Sequence, residues 1–175
     1  MTPKMRKMKR SATAVCLSIG ASAIAACSTI GPSTPATASL PASSAPKPVT
    51  SYDWFYHEDA GQAQLVFGME ASDDIQMGLS CAARTGKLEI FAIAEAPRDI
   101  HLESGGDTER FKAGAEPSEL HDGSILTAEG PANRPVFARF RRLGWMASLH
   151  DGRRDMFVAH PGTLANVERF FDFCG

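Results

Sequence analysis

Five histidines are the side chains in this sequence best suited to metal binding or proton transfer. No two of them stand three to five residues apart, the spacing that brings paired metal ligands together within one short segment. A metal site would therefore need long-range assembly, so we expect isolated surface histidines, no bound metal and no cofactor. The five are His57, His101, His121, His150 and His160.

Two of these histidines directly precede an aspartate, in His121-Asp122 and His150-Asp151. A catalytic His–Asp couple needs a direct hydrogen bond, whereas neighbouring residues on a strand point to opposite faces of the sheet. Asp151 is followed by Gly152, which is typical of a tight hairpin turn. We therefore interpret Asp151 as a turn residue and assign neither pair to catalysis.

Two further motifs contain acidic residues. Asp73-Asp74 precedes a strand-like segment, and no third carboxylate stands at calcium-loop spacing, so turn formation is favoured over cation binding. His57-Glu58-Asp59 lacks the second histidine of a zinc-protease helix, and nucleophile-elbow, phosphate-loop and dinucleotide motifs are absent from the sequence. We assign no catalytic residue.

Positive charge is concentrated in the C-terminal third of the sequence. Such a set can bind an anionic partner such as a glycan, a phosphate or an acidic protein, or it can form a solvated surface that balances nearby acids. Both interpretations stay open. The candidate anion-binding residues are Arg139, Arg141, Arg142, Arg153 and Arg154, and Arg134 lies close to them in sequence.

The N-terminus has the order of a secretory signal. Lysines and arginines crowd residues 4–10, and an Ala-rich apolar stretch follows over residues 12–26. That stretch is shorter and less apolar than the roughly 20 residues of a membrane-spanning helix. We therefore expect export rather than a spanning anchor.

The apolar stretch ends in Ile24-Ala25-Ala26-Cys27, which resembles the lipobox of bacterial lipoproteins. The resemblance implies cleavage before Cys27 and attachment of diacylglycerol to its thiol; cleavage of an ordinary secretory signal in the same region is the alternative. Ser28 after the modified cysteine resembles the sorting signal that favours the outer membrane, facing the periplasm. The expected location is therefore the cell envelope, through a lipid anchor.

Residues 27–50 form a tether between the predicted anchor and the folded part. The segment after Cys27 consists almost entirely of Ser, Thr, Pro and Ala, with Lys47 as its only charge. Its prolines favour an extended chain of about 3.1 Å per residue. We divide the chain into a signal peptide (1–26), a lipidated cysteine with its tether (27–50) and one globular domain (51–175).

The mature chain is acidic. All 20 Asp and Glu residues lie after Cys27, but five of the 18 Lys and Arg residues lie before it, so the mature net charge is −7. The basic surface that nucleic-acid binding requires is not expected.

Only Cys81 and Cys174 accompany Cys27 in the mature chain. In an oxidising compartment an isolated pair is most simply a disulfide, and the C-x-x-C arrangement of a redox pair is absent.

Hydrophobic patterning predicts an antiparallel sheet built from hairpins. The first strand is expected at 64–70, after an aromatic cluster at 52–56 that we assign to the core. Hairpins are predicted for 75–83 with 87–95, for 98–104 with 109–114, and for 145–150 with 153–159 about Asp151-Gly152. In the strand at 87–95, Leu88 and Ile90 should face the core, while the opposite face is only partly covered.

Two helices and one long loop complete the prediction. A helix from Pro135 to the stop at Gly144 competes with a strand, whereas apolar spacing predicts a C-terminal helix from Thr163 that carries Cys174. Residues 116–134 are expected to cross the surface with at most a short strand at 124–128. The predicted class is α+β: a small antiparallel sheet with the C-terminal helix packed on it and one disulfide.

The sequence favours a non-enzymatic binding or accessory module over an enzyme. The expected partner is an envelope protein or polymer, by analogy with other small envelope proteins of similar size and location. Two alternatives stay open: a periplasmic hydrolase that uses dispersed catalytic residues, and a module that binds a small ligand or a metal.

Overall fold

The computed structural model describes residues 46–119 and 123–175. Cys27, the predicted signal peptide, the tether up to residue 45 and the pair His121-Asp122 lie outside these ranges. Ten strands and two helices are described: β1 (Tyr52–Asp59), β2 (Gln62–Met69), β3 (Ile75–Ala82), β4 (Lys87–Ala94), β5 (Ile100–Ser104), β6 (Asp107–Phe111), β7 (Ala113–Pro117), β8 (Ser124–Pro131), α1 (Pro135–Leu143), β9 (Trp145–His150), β10 (Arg153–Val158) and α2 (Leu164–Cys174).

The strands form two antiparallel sheets, which confirms the predicted α+β class with a C-terminal helix. The six-stranded sheet has the order β1-β2-β3-β4-β8-β7, and the four-stranded sheet has the order β10-β9-β5-β6. One continuous core takes side chains from both sheets and both helices. Trp54 lies at its centre, fully buried and in ring contact with Phe67, Phe140 and Phe157.

The strand expected at 64–70 forms as β2 but is not the first strand, because the aromatic cluster itself forms strand β1. Trp54 points into the core while Phe55 stays half-buried on the other face, as strand alternation requires. The chain reverses to β2 at Ala60-Gly61, where both residues have positive φ, +47° and +80°. This turn lacks the Asn-Gly or Asp-Gly signature by which such hairpins are recognised.

The expected surface excursion over 116–134 is wrong, because the short strand expected at 124–128 is an eight-residue strand, β8 (Ser124–Pro131). Strand β8 fills an interior position of the large sheet, between β4 and β7. Ser124, Leu126 and Ala128 are buried along it. Only two of these inward side chains are apolar and β4, one of the two partner strands, lies far earlier in the sequence, so the alternation indicated no more than a short strand.

The other predicted elements are present. The hairpins β3–β4, β5–β6 and β9–β10 form, although β6 ends at Phe111 and the chain then continues into β7. Asp151 and Gly152 both have positive φ, +48° and +75°, as the predicted turn needs. Leu88 and Ile90 are buried on the core side of β4.

Helix α1 forms where Pro135 predicted it. The Val136 N–H donates to Glu109 Oε1 at 2.7 Å, so a carboxylate from β6 satisfies a free donor of the first turn. At the other end, Gly144 adopts the left-handed conformation with φ +73° and donates to the Phe140 carbonyl. The helix buries Val136, Phe137 and Phe140 against the sheets.

Helix α2 is fixed to the large sheet at both ends. At its start, Asp53 Oδ1 on β1 accepts the Thr163 hydroxyl at 2.6 Å and the His160 N–H at 3.1 Å. At its end, Cys174 is joined to Cys81 on β3 by the predicted disulfide, with 5.8 Å between the Cα atoms. The helix thereby covers the open edge of β1, where Asn166 donates to the Trp54 carbonyl.

No helix within the described ranges has the length and apolar character to cross a membrane.

Candidate binding surfaces

The outer face of the six-stranded sheet carries apolar side chains at one end. Strand register places one cross-strand row there: Phe55, Val66, Gly78, Phe91 and Thr127. The Phe91 ring lies over Gly78, because a Cβ on this glycine would be 2.1 Å from Phe91 Cε1 and 2.9 Å from Val66 Cγ1. Glycine thus leaves space for the outward Phe91 ring, beside Val66.

Next to this row lies a depression of about 520 Å³, which we call the sheet groove. Its apolar floor comes from β3, β4 and β8, and Ile93 and Ile125 are direct cross-strand partners in it. Ile125 is 40% exposed, a high fraction for a large aliphatic side chain in the middle of a sheet. The groove is lined by Asp73, Ile75, Phe91, Ile93, Glu116, Pro117, Ser118, Glu119 and Ile125.

The rim of the sheet groove is acidic. Asp73 comes from the turn before β3, Glu116 from β7 and Glu119 from the segment after β7, and none of the nine lining residues is basic. Glu116 stands directly opposite Ile125 in the β7–β8 register. The apolar floor is therefore bordered by three negatively charged carboxylates.

The apolar surface continues beyond the groove toward β1. Ile75 also borders a smaller depression of about 190 Å³ that is lined by Phe55, Val66 and Met69. Met69 is 39% exposed. Contiguous apolar side chains on one open face are a feature of interaction surfaces, whereas single exposed ones are ordinary.

The neighbouring residues Asp73 and Asp74 have different roles at this end of the sheet. Asp74 accepts hydrogen bonds from the Tyr52 hydroxyl and, at 2.5 Å, from the Gln76 amide, while its own N–H bonds to the Ser72 hydroxyl. The hydrogen bond to the Asp74 carboxylate raises the pKa of Tyr52 above its ordinary value. Asp74 thus belongs to the turn, as predicted, and Asp73 lies on the groove rim.

A second, wider depression of about 850 Å³ lies at the four-stranded sheet, and we call it the arginine cleft. Its guanidinium groups are matched by carboxylates: Arg98 pairs with Asp151 at 2.6 Å and Arg154 with Glu103 at 2.7 Å. The cleft is lined by Arg98, Asp99, His101, Arg110, Leu149, His150, Asp151, Gly152, Arg153 and Arg154.

Asp99 joins this cleft to the edge of the large sheet. The Arg110 guanidinium, and then the backbone N–H of Ala113, hold the pKa of Asp99 below its usual range. Its Oδ1 accepts the Ala113 N–H at 3.2 Å, at the start of edge strand β7. The carboxylate therefore stays ionised and occupies one backbone donor of that edge.

His150 has a carboxylate partner that sequence proximity does not reveal. Its Nε2 lies 2.5 Å from Asp155 Oδ2, across the β9–β10 hairpin, whereas the adjacent Asp151 is 3.8 Å from Nδ1. Among the described residues, the buried Nδ1 atom has no hydrogen-bond partner. The ring therefore contacts no described hydroxyl or thiol that it could activate as a nucleophile.

The structure divides the five candidate anion-binding arginines between two places. Arg153 and Arg154 border the arginine cleft, and Arg154 also lies over the Trp145 ring, 5.3 Å from its centroid. The other three, Arg139, Arg141 and Arg142, belong to α1.

Two of the helix arginines already have strong partners. Arg139 donates to the Ser104 carbonyl at 2.5 Å, and Arg141 bonds to Glu168 and Asp172 at 2.6 and 2.7 Å. The hydrogen bond to Glu168 raises the pKa of Arg141. Anion binding by the set stays a prediction, and an anion would have to compete with these carboxylates.

Metal ligands are not grouped in the part of the chain that the structure describes. No three His, Cys, Asp or Glu side chains there lie close enough to hold one ion. His57 is exposed on β1, His101 is on β5, and His160 lies before α2 with its ring bonded to the Val49 carbonyl.

Compared with protein-family models, curated proteins and solved structures, the chain matches none. The described part is therefore characterised by its own architecture, an α+β domain of two antiparallel sheets with one disulfide. The sheet groove and the arginine cleft differ in chemistry, since the groove is apolar with an acidic rim and the cleft is lined by ion pairs.

Proposed function

We propose that this chain is a lipid-anchored accessory protein of the cell envelope, and that its folded domain binds an envelope protein through the sheet groove. The observation that carries the proposal is the open apolar floor around Phe91, Ile93 and Ile125. Apolar side chains at the centre of a patch, surrounded by polar ones, are the usual composition of a protein-binding surface.

The predicted lipid anchor and tether support a location in the cell envelope. A lipid on Cys27 would hold the protein at a membrane surface, and residues 28–50 would let the domain reach tens of ångströms from it at about 3.1 Å per residue. The folded domain could then bind a partner in the envelope while the protein stays anchored to the membrane.

Binding is favoured over hydrolysis by the chemistry of the two surfaces. The sheet groove is lined by apolar side chains, three carboxylates and the hydroxyl of Ser118, with no histidine, cysteine or lysine among its lining residues. In the arginine cleft, His150 bonds to Asp155, but its second ring nitrogen contacts no described nucleophile. Neither surface has a histidine together with a hydroxyl or a thiol among its lining residues.

The test is site-specific photo-crosslinking in intact cells. A photoreactive benzoylphenylalanine replaces Ile125 in one variant and Glu129 in the control; Glu129 is exposed on the same face of β8, farther along the strand. We expect a discrete protein adduct from position 125 and none from position 129.

Rebinding completes the test. The adduct protein is identified by mass spectrometry, purified and titrated against the wild-type chain and Ile125→Asp. Loss of binding in Ile125→Asp supports the proposal, because a charge in the floor would have to be desolvated on docking. Equal adducts at both positions, or equal binding by both proteins, would show that the groove is not the docking surface.

A further inference from the structure

The charges around the sheet groove specify the chemistry of its occupant. The three rim carboxylates are those of Asp73 before β3 and of Glu116 and Glu119 at the end of β7, and none of the described residues that line the groove is basic. On the assumption that the proposed docking function holds, we infer that the occupant is a cationic amphipathic segment of a protein. Its apolar side covers Ile93 and Ile125, and its lysines or arginines face the rim.

The segment lies on the face of the sheet and does not add a strand to its edge. Edge strand β7 offers few free backbone donors, since the Ala113 N–H bonds to Asp99 and Pro117 has no N–H. Both features are known protections of sheet edges. Binding therefore depends on side chains, and the floor and the rim must both contribute.

The same charges argue against a second copy of the chain. In a two-fold dimer the same patch meets itself, which would place the three rim carboxylates of one copy against those of the other. The chain's own tether is also a poor match, because Lys47 is the only charge between Ser28 and Thr50. A separate basic segment complements the rim better than either.

The experiment uses the full chain in nanodiscs of zwitterionic phosphatidylcholine and a fluorescent Leu/Lys helical peptide of about 15 residues, roughly four turns. A Leu/Glu peptide of the same length is the control ligand, and empty nanodiscs give the background. The variants are Glu116→Lys on the rim and Glu129→Lys, the same change on the same face away from the groove.

We expect the Leu/Lys peptide to bind and the Leu/Glu peptide to fail. Glu116→Lys should weaken binding about tenfold at low salt, and Glu129→Lys should change it by less than about twofold, because rim charges act within a Debye length. Equal binding of both peptides, or equal effects of both variants, would overturn the inference.

Two further outcomes would also overturn it. If replacing residues 28–45 by a Gly/Ser chain of equal length tightens peptide binding, the tether occupies the groove. If the chain self-associates in a way that Glu116→Lys strengthens by relieving repulsion, a second copy is the occupant. A crosslink at position 125 without peptide binding would refute only the cationic chemistry, whereas the absence of both would refute the docking function as well.

Discussion

The ring of Phe91 lies directly over Gly78, where a Cβ atom would come within 2.1 Å of Phe91 Cε1. The two residues are cross-strand partners on β3 and β4. The glycine leaves the space in which the ring lies, and the ring in turn covers backbone that the glycine leaves bare. This contact fixes an aromatic side chain at the border of the sheet groove.

Alanine at position 78 should therefore destabilise the domain. The Phe91 ring would have to leave its place on the sheet, and we expect a loss of about 1–3 kcal/mol, the usual range for overpacking. Gly114→Ala is the matched control, because Gly114 lies in the same cross-strand row and its nearest atom to a new Cβ is 3.9 Å away. Urea unfolding of both variants checks this, and equal midpoints would contradict the packing described.

The disulfide should contribute a large part of the stability. Cys81 and Cys174 are separated by 93 residues, and closing a loop of that length stabilises the folded state by about 4–5 kcal/mol in the chain-entropy model. Denaturant unfolding with and without reductant measures the difference. The Cys81→Ala, Cys174→Ala double variant is the control, since reductant should leave its midpoint unchanged. A wild-type midpoint that does not respond to full reduction would show that the crosslink adds little.

The two tyrosines should ionise at a higher pH in the folded protein than in the denatured chain. Desolvation, followed by the hydrogen bond to Glu58, raises the pKa of Tyr56 to about 12, and Asp74 raises the pKa of Tyr52. These are the only tyrosines in the sequence, so the ultraviolet absorbance of tyrosinate reports both. We expect the native titration to lie above that of the denatured chain, which is centred near pH 10.

The same shifts determine how stability changes at high pH. The folded state holds the phenolic protons of the two tyrosines more tightly than the denatured state does. Their contribution to the free energy of unfolding is therefore complete below about pH 10 and declines as pH rises through the folded pKa values. Glu58→Gln and Asp74→Asn should each bring one tyrosine back toward its ordinary pKa. Superimposed titrations of the native and denatured wild type would show that neither hydrogen bond persists in solution.

Lipidation of Cys27 can be read directly from the intact mass. Protein extracted from membranes should carry the mass of a diacylglycerol-modified cysteine, and Cys27→Ala should lack it and leave the membrane fraction. Reduction should add two hydrogens to both proteins, because Cys81 and Cys174 are joined in each. A soluble product without added mass would mean an ordinary secretory signal and would remove the basis for the tether.

Local signals predicted the elements that have strong local causes. Asp151-Gly152 forms its turn because both residues adopt positive φ, and α1 ends at Gly144 for the same conformational reason. Strand β1 was missed because Ala60-Gly61 makes a similar turn without the usual residues. Strand β8 was expected only as a short strand at 124–128; it continues to Pro131, and its pairing with β4 depends on the order of the whole sheet rather than on neighbouring sequence.

The candidate site was predictable only in part. Phe91 and Ile93 alternate with the core side chains of β4, and the sequence indicated that this outer face is only partly covered. The meeting of Asp73 and Glu116 across that face depends on strand order, which a pattern with a period of two residues does not contain. The arginines were visible as a group, but their carboxylate partners on α2 and β5 were not.

Trp54 stands near the beginning of the domain, yet its indole N–H donates to the carbonyl of Phe157, 103 residues later. A chain that crosses a membrane with its N-terminus first must therefore deliver nearly the whole domain before this tryptophan can be buried. Until then β1 and β2 present apolar side chains to whatever surrounds them. If the chain is exported as proposed, the interval between the emergence of Trp54 and the arrival of α2 is when these side chains are most exposed to proteases, to aggregation and to chaperones.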